Sequence, residues 1–167
     1  MPEPAFAVWI TGLPASGKST ITACLKRLLE ERGIKVEVLE SDALRKILSD
    51  ASYAERDRDA FYQRMAWIGT LLVKNGIPVI FDATANRRGY RDTARSQIPR
   101  FFEVFVDVPL EACMARDPKG IYRNAAGDVP GLQAPYEPPE KPALIIDGLC
   151  QSPDEAARRI LALLPLK

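Results

Sequence analysis

The run Gly12-Leu13-Pro14-Ala15-Ser16-Gly17-Lys18-Ser19-Thr20 fits G-x-x-x-x-G-K-[ST] at every fixed position. The chemistry this spacing serves is the binding of a nucleoside triphosphate, with ATP the expected donor. Gly12 and Gly17 let the backbone turn with its N–H groups inward, and the helix that follows adds its positive end. Lys18 sets a full charge beside the outer phosphates, and the Ser19 hydroxyl can ligate Mg²⁺. Phosphoryl transfer further needs a carboxylate near the attacking hydroxyl and cations on the acceptor. Two acids directly follow apolar runs, Asp42 after 34–39 and Asp82 after Val79-Ile80-Phe81. Ligands in open parallel sheets bind beyond the carboxyl ends of the strands, which is where both acids fall. Asp42 and Arg45 share one face of a helical turn, placing an acid beside a cation. Asp42 can alternatively complement a helix dipole. Asp82 either holds a Mg²⁺-bound water or caps the turn into 83–86. Arg58, at the start of a long helix, is a candidate acceptor ligand, while Arg56, Arg87 and Arg95 read as solvated. Tyr53 is an aromatic in a polar connector, free to stack on a base or to staple the next helix.

These residues need a frame. The apolar run Ala5–Thr11 reads as a strand, and Leu25, Leu28 and Leu29 mark a helix ending near Arg32 with Gly33 as its cap. A second strand is expected over 34–39, a short helix capped by Ser41, and a long helix over 56–75. Strands over 77–81, 101–106 and 143–147 alternate with helices over 88–97, 110–116 and, from the Ser152-Pro153-Asp154-Glu155 start signal, to Leu164. Such alternation predicts a three-layer α/β/α domain, P-loop kinase-like, around a five-stranded parallel sheet. Residues 1–167 are expected to form one such domain. The 117–142 stretch is rich in Gly and Pro, and a segment this long between regular elements reads as a lid.

Composition narrows the chemistry. The chain has 167 residues, a formal net charge of +1 and no histidine. Bulk charge therefore gives no footprint for nucleic acid or a membrane surface. A general base must be a carboxylate or a lysine. Cys24, Cys113 and Cys150 are odd in number, widely spaced and set in apolar contexts, so they are expected as buried free thiols. No signal peptide or membrane-spanning run is apparent, and a cytoplasmic protein is expected.

The stretch from Phe102-Glu103-Val104 through Asp107-Val108-Pro109-Leu110-Glu111-Ala112-Cys113 to Arg116-Asp117-Pro118-Lys119-Gly120-Ile121-Tyr122 resembles a block of the adenylylsulfate kinase family, F-x-E-V-x-V-D-x-P-L-E-x-C-x-x-R-D-P-K-G-L-Y. Pro135-Tyr136-Glu137 with Pro139 and Pro142 is similar to that family's P-Y-E-x-P-x-x-P segment. The resemblance implies an enzyme that phosphorylates the ribose 3′-hydroxyl of adenosine 5′-phosphosulfate with ATP and Mg²⁺. It implies that Asp42 is the catalytic acid, Arg45 and Arg58 acceptor ligands, and Lys119 an acceptor contact in the lid. Arg116 is implied near the ATP adenine, with Tyr53 and Leu132 flanking the acceptor's base.

The chain departs from the pattern at several points. Glu40-Ser41 stands for the first D-G of D-G-D-x-x-R, and Ala60-Phe61 for the E-N of D-R-x-E-N, which removes a polar acceptor contact. Asp82-Ala83-Thr84-Ala85-Asn86 replaces S-F-I-S-P, with Ala85 where some members carry a phosphorylatable serine. That segment resembles instead the polynucleotide-kinase-like P-loop kinases. The alternative readings are therefore a kinase for another small hydroxyl compound, including a nucleic-acid 5′ end, and a non-catalytic ATP-binding switch. The expected partner is a small nucleotide acceptor, with a homodimer as one assembly open to the chain.

Overall fold

The computed structural model describes residues 5–166. Five strands, β1 (Ala7–Thr11), β2 (Glu37–Glu40), β3 (Val79–Asp82), β4 (Phe101–Asp107) and β5 (Leu144–Asp147), form one parallel sheet in the order β2-β3-β1-β4-β5. Six helices join them: α1 (Lys18–Glu30), α2 (Ser41–Ile47), α3 (Glu55–Lys74), α4 (Arg88–Gln97), α5 (Leu110–Arg116) and α6 (Pro153–Leu163). The predicted three-layer architecture is therefore the observed one.

Successive side chains of a strand point to opposite faces, and β1 divides the core on that principle. Val8 and Ile10 join Leu25, Leu28, Leu29, Ile146 and Ile160 in the cluster beneath α1 and α6. Ala7 and Trp9 join Phe61, Met65, Phe81 and Ile98 in the cluster beneath α3 and α4. Trp9 stacks on Phe81 at 4.5 Å between centroids and donates its indole N–H to the Ala83 carbonyl at 3.1 Å. Gly69 of α3 lies directly on Phe81, where a Cβ would stand 2.1 Å from Cζ.

Helix ends explain where the strands begin. Gly33 and Gly76 adopt φ of 74° and 80°, and the N–H groups of Ile34 and Ile77 turn back to the carbonyls of Leu29 and Leu72. Those amides close helices and cannot serve a sheet, so β2 and β3 start later than the apolar runs suggest. The cap of α2 also differs from expectation. Glu40, not Ser41, accepts the N–H groups of Asp42 and Ala43, each at 3.0 Å. The longer carboxylate reaches both donors at once. The Ser152–Glu155 capping box of α6 forms as the sequence implies. Of the cysteines only Cys113 is buried; Cys24 is half-buried and Cys150 exposed in the turn after β5. No helix of the described residues is long and apolar enough to cross a membrane.

Candidate active site

The carboxyl ends of β1, β2 and β3 open onto a cavity of about 780 Å³. Its floor is the loop from Pro14 to Thr20. Gly12 must be glycine, since a Cβ would stand 2.6 Å from the Val106 carbonyl oxygen. Gly17 takes φ 99° and Ala15 φ 63°, the second an uncommon conformation for a residue with a side chain. The ammonium of Lys18 donates to the carbonyls of Gly12 at 3.0 Å and Leu13 at 2.8 Å. Burial lowers the Lys18 pKa to about 8, only partly offset by the carboxylate of Asp82. Asp82 is itself buried, which raises its pKa against the influence of the nearby Ser19 hydroxyl and the charge of Lys18. Ser19 and Asp82 thus set a hydroxyl and a carboxylate together beside the lysine on the cavity wall. Mg²⁺ takes few protein ligands and keeps waters and phosphate oxygens, so this pair suits it without a larger acidic cluster.

The second wall comes from β2, α2 and α3. Asp42, Arg45, Tyr53 and Arg58 all line the same cavity. Asp42 is held by the capped turn and lies 3.0 Å from the ammonium of Lys119. That hydrogen bond with Asp42 raises the Lys119 pKa. Arg45 is buried and donates to the Ser52 carbonyl at 3.0 Å. Arg58 is buried and donates to the carbonyl of Asp128, across from α3 to the 117–142 segment. The third wall is Arg116, Gly148, Gln151 and Pro153, with Arg116 bonded to the Gly148 carbonyl at 3.0 Å.

The 117–142 segment contains no helix or strand, but both its ends are tied down. At one end Asp117 accepts the backbone N–H groups of Tyr122 at 3.2 Å and Arg123 at 3.0 Å. The Tyr122 hydroxyl then donates to the Pro14 carbonyl at 2.8 Å. At the other end the Glu137 N–H meets the Asn86 carbonyl at 2.7 Å, and the Asn86 amide meets the Pro135 carbonyl at 2.9 Å. Between the anchors Gly127, Asp128 and Gly131 take positive φ.

Three expected site residues do not line this cavity: Gly12 and Leu13 at the start of the phosphate loop, and Leu132. Leu132 lines a separate cleft with Leu13, Phe105 and Tyr136, because the turn closed by Leu132 and Gln133 on the Val129 carbonyl carries it to the other side. Val129 and Pro130 face the main cavity in its place. Arg95 is also not merely solvated, since it pairs with buried Glu103. Arg87 pairs with Glu55.

Sequence reasoning missed Arg91. It is fully buried, bonded to Glu103 at 2.8 Å and to the carbonyls of Ala85 and Glu137, each at 2.6 Å. A signal existed: Glu103 interrupts an apolar strand and needs a cation, and Arg91 shares the stripe of Tyr90 and Ala94. Thr84, Asn86, Gly148 and Gln151 also line the cavity without having been singled out.

A phosphate loop, a hydroxyl–carboxylate pair and an acid flanked by arginines, set at the carboxyl ends of a 2-3-1-4-5 sheet, define a P-loop phosphotransferase. A solved shikimate kinase from Aquifex aeolicus shares this fold at a TM-score of 0.59 and 18% identity. The model of the family described as adenylylsulphate kinase matches residues 4–147, and this chain belongs to that family. The adenylyl-sulfate kinase of Rippkaea orientalis is 39% identical over 149 residues, covering 86% of this chain and 82% of that one. The structure of the Mycobacterium tuberculosis APS kinase CysC in complex with AMPPNP and APS is similar at a TM-score of 0.89 and 36% identity, covering 97% of this chain and 98% of that one.

Proposed function

We propose that this protein transfers the γ-phosphoryl group of ATP to the 3′-hydroxyl of adenosine 5′-phosphosulfate, giving ADP and the 3′-phosphorylated nucleotide. The observation that carries the reading is the meeting of Asp42, Arg45, Arg58 and Lys119 in the cavity floored by the phosphate loop. Asp42 orients the acceptor hydroxyl and takes its proton. Lys18 and the loop amides stabilise charge on the transferring group. Arg45 and Arg58 hold the acceptor's anionic end, and Lys119 bridges from the lid. Arg116 lies with Gly148 and Gln151 where the donor's base would sit, and Tyr53 offers a ring to the acceptor's base. Ser19 and Asp82 would hold Mg²⁺, which supplies charge neutralisation at the phosphates. The lid, anchored at both ends, excludes water that would otherwise hydrolyse ATP. Three free cysteines suit a reducing, cytoplasmic setting.

The test is ADP release from Mg²⁺-ATP with adenylylsulfate, AMP, gluconate or a 5′-hydroxyl oligonucleotide as acceptor. Stimulation by adenylylsulfate, lost in Asp42→Ala while ATP binding persists, is the expected result. Stimulation by one of the others alone would overturn the acceptor assignment.

A further inference from the structure

Arg45 lies between two aromatic rings. Its guanidinium carbon is 3.9 Å from the ring centroid of Phe61 and 4.5 Å from that of Tyr53. The two rings differ in kind. Phe61 is completely buried on α3, edge-on to Tyr62 at 5.2 Å between centroids and part of the core beneath the sheet. Tyr53 is half-exposed in the connector before α3. One jaw is therefore fixed by the core, and the other faces the cavity.

The edge of the guanidinium is also sorted. Nη1 donates to the Ser52 carbonyl at 3.0 Å and lies 3.6 Å from Asp50, whose other oxygen lies 3.6 Å from Arg64. Nε and Nη2 have no hydrogen-bond partner among the described residues, on a side chain that lines the cavity. Two adjacent N–H donors of a fixed planar fork match two oxygens of a tetrahedral anion. The fork serves only if its plane is held, and the ring of Phe61 holds it. Where the resemblance places a polar acceptor contact, this chain has a ring packed against the neighbouring arginine.

We propose that Phe61 is a positioning residue that sets affinity for the acceptor's sulfate- or phosphate-bearing end by fixing the plane of Arg45. The inference rests on the adenylylsulfate reading above. A buried guanidinium with two ring centroids within 4.5 Å of its carbon is shielded from water, the setting in which cation–π attraction is strongest. Removing the buried ring admits water and rotamers on that face, and Arg45 must be re-ordered each time the anion binds. Donor binding, on the far side of the cavity, does not use this clamp.

The experiment measures KM for adenylylsulfate, KM for ATP and kcat in wild type, Phe61→Leu, Phe61→Met, Arg45→Lys and the Phe61→Leu/Arg45→Lys double variant. The expected result is a rise of about tenfold in the acceptor KM of Phe61→Leu, with the ATP KM within about twofold. Arg45→Lys, which keeps the charge and loses the plane, shows a rise of similar size. The double variant is no worse than Arg45→Lys alone, because the ring has nothing left to hold. Phe61→Met supplies the same comparison should the leucine variant fold poorly. Equal rises in both KM values, or additive effects in the double variant, would overturn the clamp while leaving the acceptor assignment standing. A wild type inert toward adenylylsulfate overturns both.

Discussion

Lys18 is a cation that the fold has stripped of water. Its pKa falls to about 8 through burial, so the free protein begins to lose this charge in a mildly alkaline buffer. Triphosphate oxygens beside the ammonium would raise that pKa again, since an opposite charge favours the protonated form. The sign follows. Below pH 8 the free and bound forms are both protonated and affinity is full. As pH rises through 8 the free form deprotonates, binding takes up a proton, and affinity falls up to about tenfold per pH unit. Calorimetry of ATP-analogue binding in buffers of different ionisation enthalpy should show proton uptake at pH 9, where the terminal phosphate is fully ionised. Lys18→Arg, permanently charged, should lose the pH dependence; a flat wild-type profile to pH 9.5 would refute the argument. Lys119 makes a second case. Its pair with Asp42 is well exposed on both sides, so its loss costs at most about 1 kcal/mol of stability. Its effect belongs to turnover, because the ammonium occupies an oxygen that a water could otherwise use. Lys119→Met should raise acceptor-independent ADP release about two- to tenfold and leave the melting temperature within about 3 °C. No rise in that background hydrolysis would show that Asp42 is restrained by something else.

At the scale of elements, the C-terminal end of the lid is joined to α4 and β4 through one buried arginine. Arg91 spans Glu103 of β4, the Ala85 carbonyl before α4 and the Glu137 carbonyl of the lid. Removing one partner of a buried pair leaves an uncompensated charge, and here also two carbonyls without a donor. Arg91→Met should therefore cost about 3 kcal/mol in urea unfolding, with Arg95 retaining part of the pairing to Glu103. Adding Glu103→Leu should recover part of that loss, and an unchanged or greater loss would contradict a charge-based account. This is the part of the molecule least legible in the sequence. Helices over 88–97 and 110–116 could be placed from periodicity and breakers, but a lone arginine in a run of Arg87, Arg88, Arg91 and Arg95 carries no label saying which one is buried. Exposure is decided by the neighbouring layer, and only the acid inside an apolar strand hinted at it. The cap of α2 was hidden for a related reason, since Ser41 and Glu40 are both competent caps and the backbone at Glu40 decided between them.

At the scale of the whole molecule, what could be read was what local chemistry dictates: the phosphate loop, the strand ends that carry Asp42 and Asp82, and the alternation that makes the sheet parallel. What could not be read was the path of the lid, because a segment without periodicity offers no register, and Leu132 lies across a turn from the cavity it was expected to face. The sheet also divides the site. The phosphate loop leads into α1 and is backed by the core beneath α1 and α6. Arg45 is packed through Phe61 into the core beneath α3 and α4, on the other face. Donor and acceptor binding should thus be separable in thermal unfolding. A non-hydrolysable ATP analogue at about 100 times its Kd stabilises by about 2.7 kcal/mol. For a chain of this length that is a rise of about 5–10 °C in Tm. Lys18→Met should abolish the rise given by the analogue. Arg45→Ala should leave it within about 2 °C, while removing the additional rise given by adenylylsulfate. If Arg45→Ala removed both, the two halves would be one cooperative unit, and the division by the sheet would not be functional.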